Sequence, residues 1–462
     1  MSLLFVSRRR WWNLVPIAWG VVFVVMALTT SARAQNLTGQ QLLQNSVDSP
    51  GNYPDVDDAI TRFRNRDFAG AKQLLDRAKS AHPDLPPSGV LLGQLFLAAN
   101  QTNLARESLE AVVKDDPSDP EPYLLFGELA FRGRQFTDSG LIYEKAHELA
   151  QSFSGSNAKR KANLQLRALS GLAGVAQARD DWQTALRHFE AMNAISPNNP
   201  EVEAGMARAQ YETGDKRKAY ELYGNIWKAN PDATRAEIRM GLLYYKDDNK
   251  QQALSLMQNA TDRGSDSLRT QLEVANWALE AGELALAKTA VGRALALDGN
   301  SIDGNLLAGL AARFERDYAT AESAFQKAHL LRPSSFQAIK NLALSLIEQV
   351  DESSRVRALE YAQLLSSSNS DLQQTNGREA GITLGWILFR LGREAEAERA
   401  IAQVVRVGGA ISPESAYFAA RIYQGRGNPN TARQILAPAL RQTAAFPSRR
   451  DAEDLLNRLP PG

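Results

Sequence analysis

Four histidines, His82, His147, His188 and His329, are the first residues to weigh for catalysis or metal binding. They lie far apart in the chain. None has a second histidine or a carboxylate at the spacing of a recognisable metal-ligand motif. His147-Glu148 lacks the second histidine of a helical zinc motif. His329 stands three residues before a turn, where an imidazole suits the C-terminal end of a helix. The chain has no cysteine, which excludes disulfides, thiolate metal sites, a cysteine nucleophile and a lipid-modified N-terminal cysteine. No glycine-rich phosphate loop and no G-x-S-x-G elbow is present. The acidic pairs Asp115-Asp116 and Asp180-Asp181 fall where turns between helices are expected, so they read as turn or cap residues rather than acid–base pairs. The expectation is a chain that is not an enzyme and that takes no metal and no cofactor.

The elements that would position any site announce themselves by a step of 34 residues. Ala185, Ala219, Ala253, Ala287 and Ala321 fall on one column, and Ala173, Ala207, Gly241, Ala275, Gly309 and Ala343 on a second. Phe189, Tyr223, Met257, Val291 and Phe325 make a third; Pro197, Pro231, Ser265, Gly299 and Pro333 make a fourth. A fixed period of this length means a stack of like supersecondary units. Small residues recur where two helices must approach, bulky apolar ones where the gap must be filled, and Pro, Gly or Ser where a helix must stop.

The period and its residues resemble the tetratricopeptide repeat, a helix–turn–helix unit. Two units carry the resemblance well: that from Ile302 (Gly309, Ala321, Phe325, Ala328, Pro333) and that from Pro86 (Leu92, Gly93, Phe96, Ala105, Leu109, Val112, Pro117). The resemblance implies an all-α, right-handed α-solenoid of about eleven such units with a C-terminal capping helix. Three units fill 52–150, an insertion falls at 151–165, six units form a block at 166–350, an irregular insertion occupies 351–377, and two units fill 378–447. The first insertion reads as a lengthened second helix plus a looser turn, and in it Lys159, Arg160 and Lys161 are either a contact patch or a solvated helix start. In the second, Ser366–Asn376 reads as a polar loop. Pro438 should end or kink its helix, and 448–462 reads as an amphipathic cap with Ala452, Leu455, Leu456 and Leu459 on one stripe.

The resemblance also implies that a stripe beside the packed face of each first helix receives extended peptides or partner helices. Here that stripe carries Arg167, Arg208, Arg235, Arg269, Gln177, Tyr211, Tyr245 and Asn276, followed by Trp386, Phe389 and Tyr423. The family's clamp for C-terminal carboxylates is not reproduced by Lys340 and Asn341. A cation in the first turn of a helix is disfavoured by the helix dipole, and folding gives no evident reason for Arg167, Arg235 and Arg269 there. With Arg208 they are either a basic strip for an acidic, extended partner segment or scattered surface charge balanced by acids such as Glu201 and Glu237.

Residues 1–34 differ from all that follows. Arg8, Arg9 and Arg10 precede an apolar run from Leu14 to Thr30, and Ala32-Arg33-Ala34 then supplies a small–x–small site. This is the layout of a secretory signal peptide, or of a signal anchor if it is retained. Residues 35–51 read as a flexible lead-in. Removing 1–34 takes four of the 53 Lys and Arg, leaving 49 against 52 acids. That balance lacks the basic footprint of a nucleic-acid binder. The expected function is a protein–protein interaction scaffold or adaptor, exported to the periplasm of a bacterium. The alternatives are an inner-membrane-tethered assembly factor for secretion, outer-membrane or polysaccharide export, and an enzyme of unknown type in the groove.

Overall fold

Many helices in this chain begin at a short polar residue that holds the first free amides, and most turns within a helix pair pass through one left-handed residue. The computed structural model describes residues 38–43, 53–153 and 158–460. Every regular element among them is a helix, and they fall into two compact units, residues 1–233 and 234–462.

The first unit opens with a short helix, α1 (Gly39–Leu43). It continues in antiparallel pairs: α2 (Pro54–Arg64) with α3 (Phe68–Ala81), α4 (Ser88–Ala98) with α5 (Thr102–Asp115), α6 (Pro120–Arg132) with α7 (Phe136–Ser152), α8 (Ala158–Ala178) with α9 (Trp182–Ile195), and α10 (Pro200–Glu212) with α11 (Lys216–Ala229). The second unit pairs α12 (Ala236–Lys246) with α13 (Lys250–Arg263), α14 (Leu268–Ala281) with α15 (Leu284–Leu297), α16 (Ile302–Phe314) with α17 (Tyr318–Leu331), α18 (Phe336–Leu346) with α19 (Glu352–Ser368), α20 (Thr375–Arg390) with α21 (Glu394–Val407), and α22 (Pro413–Gly425) with α23 (Pro429–Ala439). α24 (Arg449–Arg458) closes it, with Ala452 and Leu455 buried. Each unit is thus an α-solenoid.

The sequence columns are the packing contacts. A side chain added at Gly127 would stand 2.8 Å from the Tyr143 ring, and one at Gly309 2.6 Å from the Phe325 ring. The small column of each first helix therefore receives the bulky column of its own second helix, and neither can change alone. Ala253, Met257, Ala321 and Phe325 are fully buried. Asp181, Asp215 and Asp317 cap second helices by accepting the amide three residues on, at 2.9–3.1 Å. The residue before each cap is left-handed: Arg66, Asn100, Arg134, Asp180, Gly214, Asp248, Gly282 and Arg316 all have positive φ. Asp180-Asp181 is a turn residue and a cap, as its position predicts. Asp116, at the end of α5, accepts from the amide and hydroxyl of Ser118.

Three local expectations are corrected. The lead-in is partly ordered: α1 buries Leu42 and Leu43, and its Gly39 amide donates to the Asp57 carboxylate at 2.8 Å. The first insertion agrees with the lengthened second helix read from the sequence, because α7 runs to Ser152, and it lengthens the next first helix too, since α8 starts at Ala158. The polar loop expected at Ser366–Asn376 is shorter, since α19 continues to Ser368 and α20 starts at Thr375. Arg160 is neither a wet helix start nor a contact patch. It is buried, donating to the Asp84 carbonyl at 2.8 Å, with its charge 3.5 Å from Glu121 and the Phe153 ring 5.3 Å away. Pro438 does stop its helix, one residue on at Ala439. Residues 1–34 lie outside the described residues. No described helix is long and apolar enough to cross a membrane.

Candidate partner-binding face

The first helices of neighbouring pairs touch one another in the second unit from α14 through α16, α18 and α20 to α22. Their free sides therefore form one continuous face. In the first unit the same relation joins α4, α6 and α8. The candidate residues are carried by these first helices and by α10 and α12, and the structure gives most of them partners inside the fold.

Arg208 is buried in α10, paired with Glu212 one turn on and lying over the Trp182 and Tyr211 rings at 5.4 and 6.0 Å. Arg235 is the N-cap of α12, half-buried, 3.5 Å from Glu237. Arg269 is exposed in α14 and donates to Glu273 at 2.9 Å; Glu273 also accepts from the Thr234 hydroxyl at 2.9 Å. Arg167 is half-buried in the middle of α8, because that helix begins nine residues earlier. Two premises of the arginine strip are thereby corrected. Of the three arginines placed in a first turn only Arg269 is there, and folding does use Arg208, Arg235 and Arg269, through the carboxylates of Glu212, Glu237 and Glu273. Arg167 and Arg208 belong to the first unit, Arg235 and Arg269 to the second.

Tyr245 is half-buried with its ring edge-on to Trp277 at 5.5 Å, and burial pushes its hydroxyl pKa up. Asn276 is exposed and donates to Glu280 at 3.1 Å. Trp386 is buried, stacked on Phe418 at 4.5 Å and on Phe389 at 5.9 Å. Tyr423 is buried too, and Phe389 is half-buried against Gly425. The aromatic end is thus interior packing of the last helix pairs, and a partner could reach little of it.

What sequence reasoning missed is a buried polar system on the same first helices. Arg313 donates to Asn341 at 2.7 Å and to both oxygens of Glu414 at 2.9 and 3.2 Å. Lys340 pairs with Glu379, which also accepts from the Ser412 amide (2.6 Å), the Ser412 hydroxyl (3.0 Å) and the Ser415 hydroxyl (2.7 Å). Burial pushes the Glu379 carboxyl up, but the Lys340 charge and these donors outweigh it and hold it below the usual range. Lys340 and Asn341 are therefore consumed by the chain's own groups. Arg378 holds the carbonyls of Leu372 (2.9 Å), Gln373 (2.8 Å) and Ala410 (3.1 Å). Glu121 differs: it is 1% exposed, its oxygens accept no hydrogen bond, and burial raises its pKa despite Arg160. Lone arginines and glutamates at these positions gave no signal, since their partners stand up to 101 residues away.

His82 packs edge-on to Tyr53 at 5.0 Å, His147 bonds Gln151 at 2.8 Å, and His329 lies edge-on to Tyr361 at 5.7 Å. Burial lowers the pKa of His147 and of His188. Among the described residues no three His, Asp or Glu side chains are grouped to hold a metal ion.

Comparison with known proteins finds the tetratricopeptide repeat model matching residues 62–127 and 176–243. No curated protein sequence matches the chain. Similar solved structures include yeast Tom70, 12% identical with a TM-score of 0.38, over 87% of this chain and 94% of that one. Human IFIT1, as a dimer with m7Gppp-AAAA, is 16% identical with a TM-score of 0.36, over 77% and 89%. YrrB, described as a tetratricopeptide-repeat protein with an unusual peptide-binding site, is 16% identical with a TM-score of 0.22, over 51% and 97%.

Proposed function

We propose that this chain, a tetratricopeptide-repeat protein, is a protein–protein interaction scaffold that takes a partner segment on the first-helix face of its second unit. The observation that carries the reading is the uneven use of that face. From α16 to α22 Arg313 and Lys340 are buried and spent on Glu414 and Glu379. On α14, Arg269, Asn276 and Glu280 are exposed, and Tyr245 of α12 is half-buried against Trp277 of α14. Exposed polar groups next to a partly covered aromatic ring can exchange intramolecular partners for those of an arriving chain at little cost. An acidic, extended segment would reach Arg269 by replacing Glu273, and the planar guanidinium suits that exchange.

The setting we propose is the periplasm of a bacterium, on the strength of the basic, apolar and small–x–small order in 1–34. Retention of that segment would instead give a membrane-tethered assembly factor for secretion, outer-membrane or polysaccharide export. N-terminal sequencing of the fractionated protein separates the two: a soluble chain beginning at Gln35 supports the first, an intact Met1 in the membrane fraction the second. The face itself is tested by changing Arg269 to Glu and Asn276 to Ala together, checking helicity by circular dichroism, and repeating partner capture from crosslinked cells. An unchanged set of captured proteins with unchanged salt sensitivity removes this face from consideration.

A further inference from the structure

The chain between α23 and α24 does not take a short path. α23 ends just after Pro438, residues 443–446 have no regular structure, and the Ala445 amide donates to the Glu280 carbonyl at the end of α14, at 2.7 Å. Phe446 is buried. Asp451 accepts from one nitrogen of Arg316, in the turn between α16 and α17, at 2.9 and 3.0 Å. Ser448 stands at the N-cap of α24 yet makes no capping hydrogen bond; its hydroxyl goes to Glu414 on α22 at 3.2 Å. One stretch of about a dozen residues thus touches helices that are more than a hundred residues away in sequence.

This strap is organised by itself more than by the face it lies on. The Arg449 guanidinium donates to the carbonyls of Gln442 (2.7 Å) and Ala444 (2.9 Å), reaches Leu440 at 3.5 Å, pairs with Glu453 and sits 5.9 Å from the Phe446 ring. The Ala444 and Phe446 carbonyls are held from within the strap by Arg449, and the Ala445 amide bonds to the face beneath, so lifting it strands few polar atoms. What it gives up is one amide bond, one hydroxyl bond, an exposed ion pair and one aromatic ring. That is the contact set of a short peptide ligand: a backbone hydrogen bond, one aromatic anchor and one carboxylate on an arginine. The apolar stripe of α24, with Ala452, Leu455 and Leu459 buried, lies beyond it and is not needed for the contact.

We propose that residues 443–451 are an intramolecular occupant of a peptide site formed by Glu280, Arg316 and Glu414. A partner segment with an aromatic residue followed five positions later by a carboxylate would compete for it. This rests on the scaffold reading and names the partner chemistry for the same unit. While the strap is down, the site is closed and the apparent affinity for such a segment is reduced by the fraction of molecules that are open.

The test uses the full chain and a fluorescent peptide copying residues 440–453. Phe446→Ser with Asp451→Ala loosens the strap and leaves the α24 stripe intact. The loosened variant should bind the peptide at least about tenfold more tightly than the unaltered chain, and adding Arg316→Glu should abolish the gain. A peptide carrying Asp451→Arg should bind the Arg316→Glu form better than the original peptide does. Hydrogen exchange on the unaltered chain supplies a check independent of any variant: the Ala445 amide should exchange much faster than the core amides of α22. A loosened variant that melts cooperatively but binds no better, or an Ala445 amide as protected as α22, overturns the proposal. Because the probe is the chain's own segment, such a failure leaves the scaffold reading standing, whereas unchanged capture by the Arg269 and Asn276 variant would leave the strap standing.

Discussion

Glu121 in the first unit and Glu379 in the second are both buried glutamates near the start of a first helix, and both face a cation brought in from elsewhere in the chain. Their surroundings push them in opposite directions. Glu379 has Lys340, two hydroxyls and an amide around it, and its pKa falls despite burial. Glu121 has Arg160 at 3.5 Å and no hydrogen bond, and its pKa rises. Both sit beside a break in the 34-residue step. The contrast teaches that closing a break with charge stabilises only when every lone pair of the buried acid finds a donor. The regular block between the breaks, by contrast, is held by alanines, glycines and bulky apolar side chains.

The largest expected effect removes the cation from the better-satisfied acid. Lys340→Met leaves Glu379 charged and buried, which should cost about 3–5 kcal/mol in urea unfolding followed by circular dichroism. Below the Glu379 pKa the difference should shrink, because that acid, lowered in the fold, contributes stability that is present above its unfolded value and lost as pH falls through the folded one. A cost under 1 kcal/mol, or one independent of pH, would show that Glu379 does not carry the charge assigned to it.

Next comes the regular block. Ala253 is fully buried where α12 meets α13, and Ala253→Phe should cost about 1–3 kcal/mol by overpacking. An unchanged melting curve would mean the small column is not a helix contact. A smaller effect is expected at the turn: Asp181→Ala removes the cap on Thr184 and should cost about 1 kcal/mol, with faster amide exchange in the first turn of α9.

The smallest effect has the most informative sign. Glu121 has its pKa raised in the fold, so the penalty on its ionised form is full above that pKa and is relieved as pH falls through it. Glu121→Gln should therefore leave stability at pH 7 equal to or slightly above that of the unaltered chain, within about 1 kcal/mol, and the two should converge in acid. A loss as large as that of Lys340→Met would equate the two regions after all.

The repeating frame is legible in the chain alone, because a small residue and a large one that must meet across two helices recur at a fixed step, as Gly127 with Tyr143 and Gly309 with Phe325 do. A cap was legible too, since Asp181 acts on an amide three residues away, and so was the closing helix. The left-handed turn column was harder to see: Arg66, Arg134 and Arg316 occupy positions where Gly214 and Gly282 stand in sister turns, and arginine carries no turn signal. Which charges are exposed follows from long-range packing instead. Arg160 meets a carbonyl 76 residues back, Arg313 an acid 101 residues on, and Arg316 an acid 135 residues on. A short-range pattern can report contacts within one turn or one helix pair. It cannot report which distant carboxylate a stack of such pairs brings within 3 Å, because that depends on the accumulated geometry of every pair between them.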